Sequence, residues 1–256
     1  MAIVQIEMIE KVKALAFNDQ KVSVLLMYGS FIKNEGDQYS DIEFYLFYRH
    51  DFDHRAWVGQ IRPLKFYFTN EFGTEVALFD NLIRGEFHFS PVEEITVVKS
   101  WEGLTSFEYA DRMSLVDKDG CLKEVLTGIS QDRPRHDYRD QIEWLAQSFL
   151  NNIILTRNVL RRGDLAHAQQ CFQFVQKYLM WLIRLADAAD KHWENPSKNF
   201  QAEVTAEHYA AYAACVPDVR PESLDRALTA SVHLASKLFA TVGVSEELTS
   251  ILKTLN

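Results

Sequence analysis

The sequence is short of cysteine, of positive charge and of long apolar runs, and each shortage excludes a class of protein. Its three cysteines, Cys121, Cys171 and Cys215, are far apart and form no C-x-x-C pair, so we expect neither a zinc site nor a disulfide framework. Lysine and arginine number 27 against 36 aspartates and glutamates, and the resulting net charge of −9 argues against a nucleic-acid-binding protein. The same charge is compatible with a small neutral or cationic substrate.

The sequence also lacks the apolar segments that a membrane or secreted protein needs. No uninterrupted apolar run approaches the length that spans a bilayer. Near the N-terminus, Glu7, Glu10 and Lys11 interrupt the apolar residues, unlike the apolar region of a signal peptide. We therefore expect a cytoplasmic protein without a membrane partner. Its 256 residues suffice for one large domain or two modest ones.

The most informative stretch is residues 28–43, which reads Y-G-S-F-I-K-N-E-G-D-Q-Y-S-D-I-E. It follows an apolar run, residues 22–27, that has the length and composition of a buried strand. Gly29 allows the backbone to leave this strand tightly and to approach a ligand closely. Ser30 can cap a short helix after it, and the free N–H groups of such a helix attract phosphate.

Asp41 and Glu43 close this stretch at positions i and i+2, which on a strand places both carboxylates on one face. Two adjacent carboxylates repel each other unless a cation lies between them, and an all-oxygen pair suits Mg²⁺. A glycine–serine turn or an Asp-x-Glu pair is, by itself, usually structural. Here the carboxylates stand in a very apolar segment, where ionised groups are costly to bury unless they are paired. Together the two features indicate nucleotide transfer from a triphosphate.

Gly-Ser followed by Asp-x-Glu resembles the signature of the polymerase-beta-like nucleotidyltransferase superfamily. Within it, the stretches M-Y-G-S-F, E-G-D-Q-Y-S-D-I-E-F-Y and E-V-A-L-F-D-N-L-I-R-G-E-F-H-F are similar to the lincosamide nucleotidyltransferases. This similarity covers residues 27–89, and weaker similarity continues at residues 158–163 and 197–199. The resemblance implies that AMP from ATP, or another nucleotide, is transferred to a hydroxyl of a lincosamide antibiotic such as lincomycin or clindamycin. It also implies a homodimer.

The resemblance assigns roles to residues that the motif contains. It implies that Asp41 and Glu43 hold Mg²⁺ and act in catalysis. Gly29 and Ser30 would bind phosphate oxygens of the nucleotide, and Lys33 is a further candidate for this contact.

A second group of candidates follows the last predicted strand of the first domain, residues 74–79. Position alone favours a surface glutamate at residue 86, expected near the C-terminal edge of the sheet, whereas the resemblance implies that Glu86 is the general base that deprotonates the acceptor hydroxyl. Asp80 and Arg84 are weaker candidates, for support of the metal and for contact with phosphate or acceptor. His88 is interpreted as a packed histidine, because no metal-ligand partner stands at a recognisable spacing.

Two alternative functions stay open. An aminoglycoside nucleotidyltransferase would perform the same chemistry on a polycationic acceptor, which a net charge of −9 permits. An antitoxin-like protein with a nucleotidyltransferase fold would bind a helical partner without turnover. The retained carboxylates and a full second domain argue against this second alternative.

The patterns along the chain predict an α+β fold, with a polymerase-beta-like nucleotidyltransferase domain over residues 1–133 and a helical bundle over residues 134–256. The boundary is expected in residues 130–136, which include Pro134. In the first domain we expect a mixed sheet with helices. Its first helix should cover residues 3–16, with a packed face formed by Ile6, Ile9, Val12 and Ala16.

Apolar residues spaced by three or four predict about four or five helices in the second domain. These residues are Ile142, Leu145, Phe149 and Ile153, then Phe172, Val175, Leu179 and Leu182, and finally Leu224, Leu228, Val232 and Ala235. Tyr178 and Trp181 are interpreted as core residues of the same bundle.

Overall fold

The computed structural model describes residues 3–102, 107–130 and 139–255. The chain divides into two compact units, Met1–Arg135 and His136–Asn256. The domain boundary expected between residues 133 and 134 lies outside the described residues. A mixed sheet with helices in the first unit and helices in the second confirm the α+β class.

One six-stranded sheet forms the centre of the first unit. Its strands are β1 (Val22–Met27), β2 (Ile42–Tyr48), β3 (Leu64–Thr69), β4 (Glu75–Phe79), β5 (Arg84–Pro91) and β6 (Ser114–Asp117). Their order across the sheet is β3-β4-β5-β2-β1-β6. Strands β2 and β5 pair in parallel, and the other neighbouring pairs are antiparallel.

Strand β5 departs from the sequence-based expectation, which placed Glu86 after the last strand and near the C-terminal edge of the sheet. Instead, Glu86 is the third residue of β5 and lies near the beginning of this strand. Asp80, Asn81 and Gly85 are residue types that favour turns, so the sequence at this point does not predict a strand. Its buried positions Gly85 and Phe87 nevertheless alternate with half-buried Glu86 and His88, as expected for a strand with two different faces.

Helices cover this sheet and close the core of the first unit. They are α1 (Val4–Asn18), α2 (His54–Gly59), α3 (Ala110–Met113), α4 (Cys121–Thr127) and a 3₁₀ helix (Val92–Trp101). Helix α1 packs against β1 through Ile9, Val12 and Ala16, as expected. The expectation for Ile6 is wrong, because its side chain is 48% exposed. Gln5 and Met8 are buried instead, since the helix presents a face rotated from the predicted one.

The described part of the second unit contains six helices. They are α5 (Arg139–Arg161), α6 (Leu165–Ala186), α7 (Phe200–Glu203), α8 (Ala206–Ala213), α9 (Pro221–Val242) and α10 (Glu246–Lys253). The long helices α5, α6 and α9 pack on one another, and the expected apolar positions are buried except Ile142, which is half-buried. The short α7 has too few residues to show a helical period. Among the described helices, none combines the length and hydropathy that crossing a membrane requires.

A buried arginine holds the segment between α6 and α8 in place. The side chain of Arg184 is fully buried, and it donates to the carbonyl oxygens of Pro196, at 2.9 Å, and Lys198, at 2.6 Å. Its guanidinium also pairs with Glu203, at 2.7 Å, and the second carboxylate oxygen of Glu203 bonds His192. A buried charge is tolerated only when it is paired and hydrogen-bonded in this way.

We predict that Glu203→Ala destabilises the helical unit by roughly 3–5 kcal/mol, because the substitution leaves the Arg184 charge buried without its carboxylate. The measurement is the free energy of unfolding in urea, followed on the transition of this unit. Arg220→Ala is the control, since the Arg220–Asp218 pair is exposed and its loss should have little effect on stability. Equal effects of the two substitutions would contradict the prediction.

Candidate active site

The turn after β1 brings the Gly-Ser motif against β2. The N–H of Tyr28 donates to the carbonyl oxygen of Glu43 at 3.1 Å, so that the β1–β2 pairing continues up to Gly29. Gly29 has a φ of +81°, and a Cβ at this position would overlap the Oε2 atom of Glu43. The carboxylate of Glu43 therefore lies directly over Gly29, and any larger residue at position 29 would displace it.

The loop between this turn and β2 differs from the expected short helix. The described residues 30–34 form turns, in which the N–H of Glu35 donates to the carbonyl oxygen of Ser30 at 2.9 Å. Asn34 has a φ of +56°, a left-handed conformation that a continuing α-helix does not contain. The prediction that Ser30 caps a helix is therefore wrong, and Lys33 lies half-buried within the turns.

The entry to β2 is fixed by two side chains that bond the backbone. Asp37 accepts from the N–H of Tyr39 at 2.8 Å, a local turn typical of aspartate. The buried amide of Gln5 on α1 donates to the carbonyl oxygens of Gln38, at 2.9 Å, and Ser40, at 3.1 Å. These bonds anchor the residue that precedes Asp41 to the first helix.

The register of the sheet places three carboxylates together. Glu43 on β2 and Glu86 on β5 are direct partners in the parallel pair, so their side chains extend on the same face. Asp41 comes immediately before β2, two residues from Glu43. The three candidate carboxylates thus come from neighbouring positions on adjacent strands, beside the Gly29 turn.

Arg84 joins two of these carboxylates. It is the first residue of β5, and its guanidinium donates through Nη1 to Asp41 and through Nη2 to Glu86. Burial lowers the pKa of Arg84, but the bonds to Glu86 and Asp41 raise it more, so that the net pKa is raised. Asp80 lies outside this group, because it pairs with Arg62.

Aromatic side chains continue the same face of the sheet. His88 and Tyr45 are register partners, and their rings stack with centroids 5.1 Å apart, which agrees with a packed histidine. Burial lowers the pKa of His88. The ring of Tyr28 lies 5.9 Å from that of His88. The Tyr28 hydroxyl is buried and has no hydrogen-bond partner within the described residues.

The environment of Tyr28 keeps its hydroxyl protonated. Burial raises the pKa of Tyr28, and the negative charges of Glu43 and Glu86 raise it further. Tyr28 is therefore a hydrogen-bond donor close to the carboxylates. The sequence gives no sign of this role, although Tyr28 directly precedes Gly29, because an aromatic side chain after a buried strand is ordinarily part of the core.

The donor set fits a hard divalent cation. Mg²⁺ is commonly bound by one or two carboxylates together with waters and phosphate oxygens, and Asp41 and Glu43 supply oxygen ligands only. Within the described residues, no group of three or more histidine, cysteine or acidic side chains surrounds a possible metal position. Such a group is not needed where nucleotide and water complete the coordination.

We predict that Gly29→Ala weakens binding of Mg²⁺–ATP, because the new Cβ displaces the Glu43 carboxylate. Gly73→Ala is a matched control, since Gly73 has a similar φ of +78° but no atom within 4 Å of an added Cβ. Both substitutions should cost roughly 1–2 kcal/mol of stability through left-handed strain. Calorimetry should show weaker nucleotide binding for the first variant alone, and equal binding would exclude a role for Glu43 over Gly29.

Solved structures similar to this chain share little sequence identity with it. One similar solved structure is an aminoglycoside 6-adenyltransferase from Bacillus subtilis, with 13% identity, a TM-score of 0.41 and 97% of both chains covered. Another is a nucleotidyltransferase-like protein from Exiguobacterium sibiricum, with 12% identity and a TM-score of 0.40, in which the similarity covers 93% of this chain and 76% of that chain. A search of curated proteins gives no match.

A family model gives the identification. Residues 138–255 match the model described as the lincosamide nucleotidyltransferase-like C-terminal domain. This match confirms the family recognised from the sequence, and it does so in residues that lie outside the motifs of the first unit. Residues 138–255 of this chain are therefore similar to the C-terminal domain of lincosamide nucleotidyltransferase-like proteins.

Proposed function

We propose that this protein is a Mg²⁺-dependent adenylyltransferase that transfers AMP from ATP to a hydroxyl group of a lincosamide antibiotic. The observation that carries the proposal is the placement of Glu43 beside Glu86 in the parallel β2–β5 pair, with Asp41 next to them. Membership of the helical unit in a lincosamide nucleotidyltransferase-like family supports the class of acceptor.

The reaction is an in-line displacement at the α-phosphorus of ATP. The acceptor oxygen forms a bond to phosphorus, the bond from phosphorus to the bridging oxygen breaks, and pyrophosphate leaves. Asp41 and Glu43 would hold Mg²⁺, which when bound would offset the charge of the phosphates. The backbone at Gly29 and the hydroxyl of Ser30 contact phosphate oxygens, and Lys33, in the same turns, supplies a positive charge to them.

Glu86 is assigned as the general base. Its carboxylate is half-buried, and its register partner is the proposed metal ligand Glu43, so it can accept a proton from a hydroxyl held beside the α-phosphorus. Removing this proton as the oxygen attacks prevents a positive charge from building up on the acceptor. Tyr28 offers a buried donor to groups held among the same carboxylates.

The acceptor class is tested by incubating the protein with Mg²⁺, ATP and a panel of lincosamides and aminoglycosides, followed by mass spectrometry. Lincomycin or clindamycin should gain one nucleotide monophosphate. A mass gain on aminoglycosides alone would refute the lincosamide assignment but leave the chemistry intact. If no compound gains mass, the antitoxin-like alternative is favoured.

Glu86→Gln tests the base. The amide keeps the shape of the side chain but accepts no proton, so kcat should fall by roughly 10²–10⁴. Calorimetry should show that Mg²⁺–ATP and the antibiotic bind about as well as to the unaltered protein, since the lost interaction is made in the transition state. Loss of nucleotide binding would instead identify Glu86 as a metal ligand.

Glu75→Gln is the control for this experiment. Glu75 is as buried as Glu86, with 21% against 22% side-chain exposure, and it bonds His54 and Tyr67. It is the register partner of Phe87, and therefore lies on the opposite face from Glu86. Its substitution should leave kcat nearly unchanged. If Glu75→Gln lowers kcat as much as Glu86→Gln does, then Glu86 is an ordinary structural glutamate.

A further inference from the structure

Arg84 occupies an unusual place in the proposed site. The register partners Ile42 and Gly85 set Asp41 and Arg84 next to each other at the beginning of β2 and β5. From there the two arms of one guanidinium reach Asp41, a proposed metal ligand, and Glu86, the proposed base. A single side chain thus bonds two groups to which different steps of the reaction are assigned.

These bonds conflict with the proposed chemistry if they persist. A carboxylate that accepts a charge-assisted bond from a guanidinium has one oxygen fewer for a metal ion. The Glu86 oxygen that accepts a guanidinium N–H is likewise occupied, and it is not available to a proton from a hydroxyl. Both functions are favoured when Arg84 moves away, and its side chain, at 38% exposure, lies where movement into solvent is open.

We propose that Arg84 is an exchangeable cation of the active site, which holds Asp41 and Glu86 together and is displaced when Mg²⁺ and nucleotide bind. This inference rests on the proposed function of Asp41 as a metal ligand. The incoming divalent ion replaces the guanidinium at Asp41, and the phosphates that enter with it give the released guanidinium a new anionic partner. Metal binding and release of Glu86 are coupled through this one side chain.

The exchange has a consequence that a fixed structural arginine does not have. The ion must compete with Arg84 for Asp41 when it binds alone, so removing Arg84 should strengthen binding of the free metal. With nucleotide present, the displaced guanidinium contacts phosphate, so removing Arg84 should weaken binding of the metal–nucleotide complex. The two affinities should change in opposite directions.

The experiment measures binding of Mn²⁺, used as a spectroscopic probe for Mg²⁺, by electron paramagnetic resonance. Arg84→Ala should bind free Mn²⁺ about tenfold more tightly than the unaltered protein, because the competing guanidinium is removed; a tenfold change corresponds to about 1.4 kcal/mol. In the presence of a non-hydrolysable ATP analogue, the same variant should bind the complex about tenfold more weakly. Thermal melting checks that each variant is folded.

Two further variants distinguish the bonds of Arg84 to Asp41 and Glu86 from a general effect of its positive charge. Arg84→Lys keeps the positive charge but lacks the planar fork that bonds two carboxylates at once, so its free-metal affinity should approach that of Arg84→Ala. Arg62→Ala removes a positive charge that is paired with Asp80, and it should leave both affinities unchanged. If Arg84→Lys behaves as the unaltered protein, or Arg62→Ala as Arg84→Ala, then long-range repulsion explains the result and the exchange is refuted.

Failure of this inference is distinguishable from failure of the proposed function. Asp41→Asn should abolish Mn²⁺ binding in every background. If the ion binds equally well without the Asp41 carboxylate, the metal site itself is wrong. If Asp41→Asn abolishes binding but Arg84→Ala changes neither affinity, then the metal site stands and Arg84 is a fixed structural residue.

Discussion

The candidate site depends on one constraint, the register of the parallel pair β2–β5. A shift by one residue would turn Glu86 to the opposite face and bring Gly85 or Phe87 beside Glu43. The apolar face of the same pair prevents this shift. There the rings of Phe44 and Phe87 stack with centroids 5.6 Å apart. Gly85 leaves the space that the ring of Phe87 fills, since a Cβ would come within 2.7 Å of it. The apolar packing on one face thus fixes the carboxylates on the other.

This arrangement gathers like charges, which is costly without compensation. Glu43 approaches the backbone only because residue 29 has no side chain, and Asp41 and Glu86 share the guanidinium of Arg84. The carboxylates are therefore held in two ways: Glu43 by the space above Gly29, and Asp41 and Glu86 by their ion pairs with Arg84. A site built in this way is ordered before ligands bind. The repulsion that remains between its carboxylates favours the binding of cations.

The sequence was sufficient for the fold class and for the residues that the motif contains, but not for their geometry. The Gly29 turn, the strand face of Glu43 and most of the α1 face follow from local rules of spacing and backbone freedom. The neighbourhood of Glu86 does not, because it depends on a pairing between residues 43 positions apart. Strand β5 was missed because Gly85 resembles a turn residue, whereas in the sheet it is required by aromatic packing. The bond from Arg84 to Asp41 depends on the same strand pairing, and the sequence could not predict it for the same reason.

Arg184 and Arg84 both pair with carboxylates, but the two ion pairs have different roles in this protein. Arg184 is fully buried, bonds main-chain carbonyl oxygens as well as Glu203, and could leave only by unfolding the segment around it. Arg84 is 38% exposed, and it bonds two carboxylate side chains that a metal ion could also bind. A charge held by backbone in the interior fixes structure. A charge held by ionised side chains at an open edge can be exchanged for another cation at small cost, because water and phosphate can replace its partners.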